Sequence, residues 1–141
     1  MGAHNLAGRH VVVIGGTSGI GRAVVEHAAA SGARVTAAAR TTASVALPAG
    51  TALEGVDLTS GDSVESFFAR IGAFDHLVLS AGPGAMGTVR DLSAEAARPY
   101  MDLKFWGYYE AVRAAADRIA SDGSITLVGE RRAASMPPAG P

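Results

Sequence analysis

The stretch VVVIGGTSGIG, Val11 to Gly21, decides how the rest of the chain is read. Three valines and an isoleucine run on without polar alternation, the pattern of a strand buried on both faces. The run enters a loop with glycine at four of seven positions, 15, 16, 19 and 21. A helix is expected from Ile20 to Ser31, with Ile20, Val24 and Ala28 on one face and Gly32 as its stop. Bare backbone between a strand and a helix has a physical use. The first turn of a helix leaves amides without partners, and its dipole favours an anion. Glycines let the backbone reach that anion with no Cβ in the way. A diphosphate is the natural guest.

Working outward, apolar runs alternate with helical patterns. Arg34–Ala39 reads as a second strand and Ala52–Val56 as a short third. Thr59 or Ser60 caps a helix to Ile71, whose Val64, Phe67, Phe68 and Ile71 fall at helical spacing. His76–Leu79 is a fourth strand, followed by a glycine-rich loop from Ala81 to Gly87. A long helix is expected from Pro99 to about Ala120, with Met101, Phe105, Tyr108, Val112, Ala115 and Ile119 as its inner stripe. Ser124–Val128 is a fifth strand, and residues 131–141 read as an irregular, proline-containing tail. Strand–helix alternation predicts a single α/β domain. Right-handed crossovers make it a Rossmann-type, doubly wound parallel sheet of order 3-2-1-4-5.

Composition narrows the function classes. The chain has 141 residues, no cysteine, a net charge of -1 and a mean hydropathy of +0.22. Disulfides, thiolate metal sites and a cysteine nucleophile are excluded. The absence of a basic block argues against nucleic-acid binding. No apolar run approaches the about 18 residues of a membrane span, and residues 1–9 carry no signal-type segment, so a cytoplasmic location is expected. His4, His10, His27 and His76 show no metal-ligand spacing.

The loop Gly15, Gly16, Thr17, Ser18, Gly19, Ile20, Gly21 resembles the T-G-x-x-x-G-I-G loop of the short-chain dehydrogenase/reductase family, with Gly15 in place of the threonine. Asp57 in GVDLTS, LSAG at Leu79–Gly82 and the segment MDLKFWGYY resemble further family marks. The resemblance implies an NAD(P)-dependent oxidoreductase. It assigns the glycine loop to the cofactor diphosphate, Asp57 and its neighbour Leu58 to the adenine end, and Ser80, Ala81 and Gly82 to the cleft beyond the fourth strand. Arg40 closes the second strand, 19 residues past Gly21, just after Ala39 at the family's acidic position. An arginine there suits a 2′-phosphate, so NADP is favoured over NAD.

The family's catalytic set is less well matched. The resemblance implies a serine after the fifth strand and a Tyr-x-x-x-Lys about a dozen residues later. Gly129 and Glu130 stand at the serine's place, and no tyrosine or lysine follows Lys104. Lys104, the chain's single lysine, occupies the family asparagine position. Tyr100 and Lys104 form an i, i+4 match to the motif, but on the wrong helix. Lys104 and Glu130 are the candidate catalytic groups. Trp106, Tyr108 and Tyr109 read as packing or interface aromatics, and the family's use of this helix between subunits implies a homo-oligomer.

Family members are longer, so the chain is expected to be the cofactor half of a larger protein, truncated after the fifth strand. The leading expectation is hydride transfer between NADP(H) and a small carbonyl or alcohol substrate. The alternatives are a non-catalytic nucleotide-binding or regulatory protein, and an inactive fragment.

Overall fold

The computed structural model describes residues 5–82 and 87–129. The opening stretch forms β1, His10–Ile14, buried along its whole length. Its side chains alternate between two cores. Val12 and Ile14 face one layer; Val11 and Val13 face the other. Both faces of a parallel strand need apolar residues, which explains the unbroken valine run.

β2 is Arg34–Ala39, β3 Ala52–Gly55, β4 Phe74–Leu79 and β5 Ile119–Leu127. All neighbours pair in parallel, in the order β3-β2-β1-β4-β5. β1 lies at the centre, and β5 has a paired neighbour on one side only among the described residues.

α1, Gly19–Ala30, covers one face and α2, Gly61–Ile71, the other. The inner side of α1 is Gly21, Val25 and Ala28, one residue round from the expected stripe. Ile20 is exposed and Val24 half-buried. Gly32 takes φ +86 after α1, the left-handed conformation that ends helices. α2 follows the sequence closely. Ser60 accepts from the Ser63 amide, and Val64, Phe67 and Phe68 enter the larger core.

The long helix differs most from expectation. It starts earlier, with α3 at Ala94–Met101 capped by Ser93. Pro99 therefore lies inside it rather than in its first turn. A π-helical segment, Asp102–Gly107, then leads into α4, Tyr108–Ala115. A π turn takes up more residues than an α turn, so the expected stripe loses its phase. Tyr108 and Ala115 are buried as the expected stripe requires, Ala111 is buried in place of the half-buried Val112, and Met101 and Phe105 turn outward. Helix ends at Ala115, and Ile119 opens β5 rather than closing the helix. β5 begins five residues before the expected Ser124 because its pairing with β4 is irregular. Two steps on β4, Phe74 to His76, face five on β5, Ile119 to Ser124. Gly123 occupies this irregularity against the Asp75 carbonyl, where a Cβ has no room.

The amino-terminal edge of the sheet is held by charge. Arg9 pairs with Asp75 at 2.9 Å and with Asp122 at 2.7 Å. Asp75 also accepts from the His10 amide at 2.8 Å. The His10 amide and Arg9 hold the Asp75 carboxyl below the usual carboxylate range, and Arg9 does the same for Asp122. His10 itself is buried, with Nε2 2.8 Å from the Thr36 hydroxyl and Nδ1 2.9 Å from Arg34 Nη2. Burial, first, and then Arg34 push its pKa below the ordinary 6.5, against an opposing pull from the Ala73 carbonyl.

Stability follows in sign. The unfolded chain takes a proton on His10 near pH 6.5, while the folded chain resists it until lower pH. Stability is therefore full above pH 6.5 and falls as pH drops from 6.5 toward the lowered folded value. The depressed aspartates add a second fall below their ordinary 3.8. Urea midpoints should fall between pH 7.5 and 5.5, and His10→Gln should flatten that slope. An unchanged slope in the variant would place the pH dependence elsewhere.

Candidate functional site

The carboxyl ends of β1, β2 and β4 open onto a cleft of about 420 Å³. Clefts of that size and position suit small ligands in doubly wound sheets. Its walls include Gly15, Thr17 and Ser18 from the first loop, and Arg40 after β2. Asp57 and Leu58 come from the segment after β3, and Ser80, Ala81 and Gly82 from the turn after β4. Nine of the residues singled out in the sequence thus meet around one space. Gly19, Ile20 and Gly21 form the start of α1 beside it. The Ile20 side chain points elsewhere, into an apolar groove between α1 and the β4–β5 pair.

Each glycine in the loop answers a different demand. Gly15 has φ +87, and a Cβ there would lie 2.6 Å from the Ala81 amide nitrogen. The loop and the β4 turn are packed backbone to backbone. A Cβ on Gly21 would strike the Gly15 carbonyl, so this glycine seats α1 on the turn. Gly19 has φ +54 and nothing within 4 Å, so only its backbone conformation requires glycine.

Three serines stand at helix N-caps among the described residues, and two of them cap. Ser60 accepts from Ser63 N and Ser93 from Ala96 N. Ser18 makes no side-chain capping bond. Ser18 lines the cleft and α1 starts at the next residue, a helix start of the kind that receives an anion.

At the β2 end, Arg40 is exposed and close enough to Asp57 to help lower its carboxyl pKa. The larger causes are hydrogen bonds from Thr59. Asp57 Oδ1 accepts from Thr59 Oγ1 at 2.6 Å and from Thr59 N at 2.9 Å. Among the described residues Oδ2 has no partner, which leaves an ionised acceptor on the cleft wall.

At the β4 end, Lys104 Nζ donates to the Tyr108 hydroxyl at 3.3 Å, and that hydroxyl donates to the Ala81 carbonyl at 2.7 Å. The tyrosine that meets Lys104 is therefore Tyr108, not Tyr100. The sequence carries the signal as Lys-x-x-x-Tyr at i, i+4, in the reverse order to the family motif. Ala39, at the family's acidic position, lines the cleft as well, and so do Thr41, Thr59 and Leu103, which were not singled out as wall residues. Thr41 and Thr59 adjoin residues that were expected there, and Leu103 arrives through the π segment. Glu130 and residues 131–141 lie outside the described residues, as does 83–86 of the glycine-rich loop. Among the described residues no group of three His, Asp or Glu side chains is placed to hold a metal ion. No helix there is long and apolar enough to cross a membrane.

Comparison with known proteins agrees with this geometry. A crystal structure of a small-chain dehydrogenase in complex with NADPH is 36% identical, with a TM-score of 0.71. It matches 84% of this chain and 49% of its own. The ligand-free aldohexose dehydrogenase of Thermoplasma acidophilum is 27% identical, with a TM-score of 0.77, over 89% of this chain and 51% of its own. The cyclic-di-GMP-binding biofilm dispersal mediator protein of Escherichia coli (strain K12) is 32% identical over 144 residues. That match takes in 99% of this chain and 60% of the relative. The chain thus spans about half the length of these solved structures and three-fifths of the E. coli protein. The short chain dehydrogenase family model matches residues 9–135, from the foot of β1 to beyond β5. With its sheet order, its loop and nearly all of its length accounted for in this way, the chain belongs to the short chain dehydrogenase family.

Proposed function

We propose that the cleft binds a nicotinamide dinucleotide, NADP(H) in preference to NAD(H), and that the whole protein exchanges hydride between it and a small carbonyl or alcohol. The observation that carries this reading is the uncapped start of α1. Ser18 lines the cleft without capping the helix, and α1 begins beside it, where a diphosphate would supply acceptors for first-turn amides. The glycine contacts fit the same guest, since they seat the first loop and α1 closely against the β4 turn that walls the cleft. Asp57 Oδ2 is available to an adenine amino group, and Arg40 to a 2′-phosphate. When bound, the cofactor supplies or accepts a hydride at its nicotinamide carbon.

Titration with NADPH and NADH tests the reading. NADPH should bind more tightly, and Ala39→Asp should reverse the order by placing a carboxylate beside Arg40 and the ribose. The swing should be roughly tenfold or more, the size of one charge-assisted hydrogen bond. Equal affinities in the unaltered chain would count against the NADP preference. Absence of binding by either would remove the cofactor reading itself.

A second reading has a specific observation behind it. Lys104 replaces the family asparagine, Gly129 the serine, and a relative is named for cyclic-di-GMP binding. A regulatory nucleotide-binding protein would hold cyclic di-GMP in this cleft without reducing carbonyls. Competition between cyclic di-GMP and NADPH, with a ketone and quinone panel run alongside, separates the two. Self-association belongs to the first reading and would use the outward aromatic row of Phe105, Trp106 and Tyr109, whose rings meet edge to face.

A further inference from the structure

Beside the β4 end of the cleft, against Gly82, stands a cation whose position is built by a second residue. Tyr108 is almost wholly buried, 6% exposed, so its hydroxyl is shielded from any ligand. A phenol has one proton, and Tyr108 gives it to the Ala81 carbonyl at 2.7 Å. Its oxygen therefore turns lone pairs toward Lys104 Nζ, 3.3 Å away, and the ring lies under the ammonium at 5.3 Å from its centroid. Lys104 is half-buried and pressed against Gly82, which lines the cleft. A Cβ on Gly82 would stand 2.9 Å from Nζ and closer still to Cε. Tyr108 occupies one of three ammonium donors, and among the described residues no carboxylate pairs with Lys104.

We propose that Lys104 donates to an oxygen at the far, non-adenine end of the bound dinucleotide, and that Tyr108 is the positioning residue that aims it. The proposal rests on the dinucleotide reading of the cleft. It places a specificity contact at the end opposite Arg40, so the ligand is gripped by a cation at each end.

Lys104 is the only lysine, so selectively ε-13C-labelled lysine gives a single Cε–Hε signal from the full chain. NADPH should shift that signal. Adenosine 2′,5′-bisphosphate, which fills the adenine end alone, should bind and leave it in place. Lys104→Met should weaken NADPH by roughly tenfold, the loss of one hydrogen bond from a charged donor. Tyr108→Phe keeps the ring and removes the acceptor. It should move the lysine signal in the free protein and weaken NADPH several-fold, while the bisphosphate binds as before. Lys104→Arg should recover part of the loss. NADPH binding with an unmoved lysine signal overturns the proposal, and so does an equal loss of both ligands in Tyr108→Phe. Failure of the unaltered chain to bind either ligand overturns the cofactor reading, and this proposal with it. Retained bisphosphate binding shows that each variant is folded.

Discussion

Gly15→Ala is expected to abolish useful dinucleotide binding, with affinity down by about a hundredfold or more, equivalent to about 2.7 kcal/mol. Two costs act together. The residue holds φ +87, which an L side chain adopts at a cost of about 1–3 kcal/mol. Its new Cβ also falls 2.6 Å from both the Ser80 carbonyl carbon and the Ala81 nitrogen. Backbone cannot swing aside as a flexible side chain can, so the β4 turn must move. That turn forms one wall of the cleft, and the first loop forms another. Gly19→Ala is the informative control, because it bears the backbone cost in open space. Calorimetric titration with NADPH and thermal melts of both variants decide the matter. A Gly15→Ala protein that binds NADPH like the unaltered chain would mean that the cleft does not depend on this close approach.

The largest effect on stability is expected from Phe67→Ala. Phe67 is fully buried, stands edge to face with Phe68 at 5.0 Å, and belongs to the core that α2 shares with Ile14 of β1 and with Leu77 and Leu79 of β4. Removing such a ring costs about 3–5 kcal/mol. Domains of this size are stable by only about 5–15 kcal/mol. Urea unfolding should show the loss as a lower midpoint with an unchanged slope. Trp106→Ala, on the outward face of the π segment, should stay within about 0.5 kcal/mol. A loss below about 1 kcal/mol for Phe67→Ala would contradict a core centred on α2.

The sheet and its order are legible in the sequence because their signals are local. Valine runs, a glycine loop and helical spacing in α2 each declare themselves within a dozen residues, and handedness does the rest. The start of β2 at Arg34 and the cap at Ser60 are visible for the same reason. Cleft-lining Arg40 can be placed because strand ends converge on one side of a parallel sheet, and Asp57 and Ser80 through the family resemblance of their segments. What escapes depends on geometry that no short window contains. Which face of α1 turns inward is set by the close seat of Gly21 on Gly15, a contact that apolar spacing does not encode. Phe105 and Met101 leave the expected stripe because a π turn changes the period within a single helix. Tyr108 is the packing aromatic its spacing suggests, but its hydroxyl depends on the Ala81 carbonyl, 27 residues earlier. The early start of β5 comes from a pairing irregularity opposite Asp75, again a long-range fact.

The π segment also governs which insertions and deletions the helix tolerates. Removing one residue between Asp102 and Gly107 would let the stretch close as ordinary α-helix. Everything on its amino-terminal side would then rotate by about 100° relative to α4. Such a deletion turns a different side of α3 toward the fold while leaving Tyr108, Ala111 and Ala115 seated. The wide turn thus acts as a phase adjuster, setting the angle between α3 and α4 at the segment that brings Lys104 against Gly82.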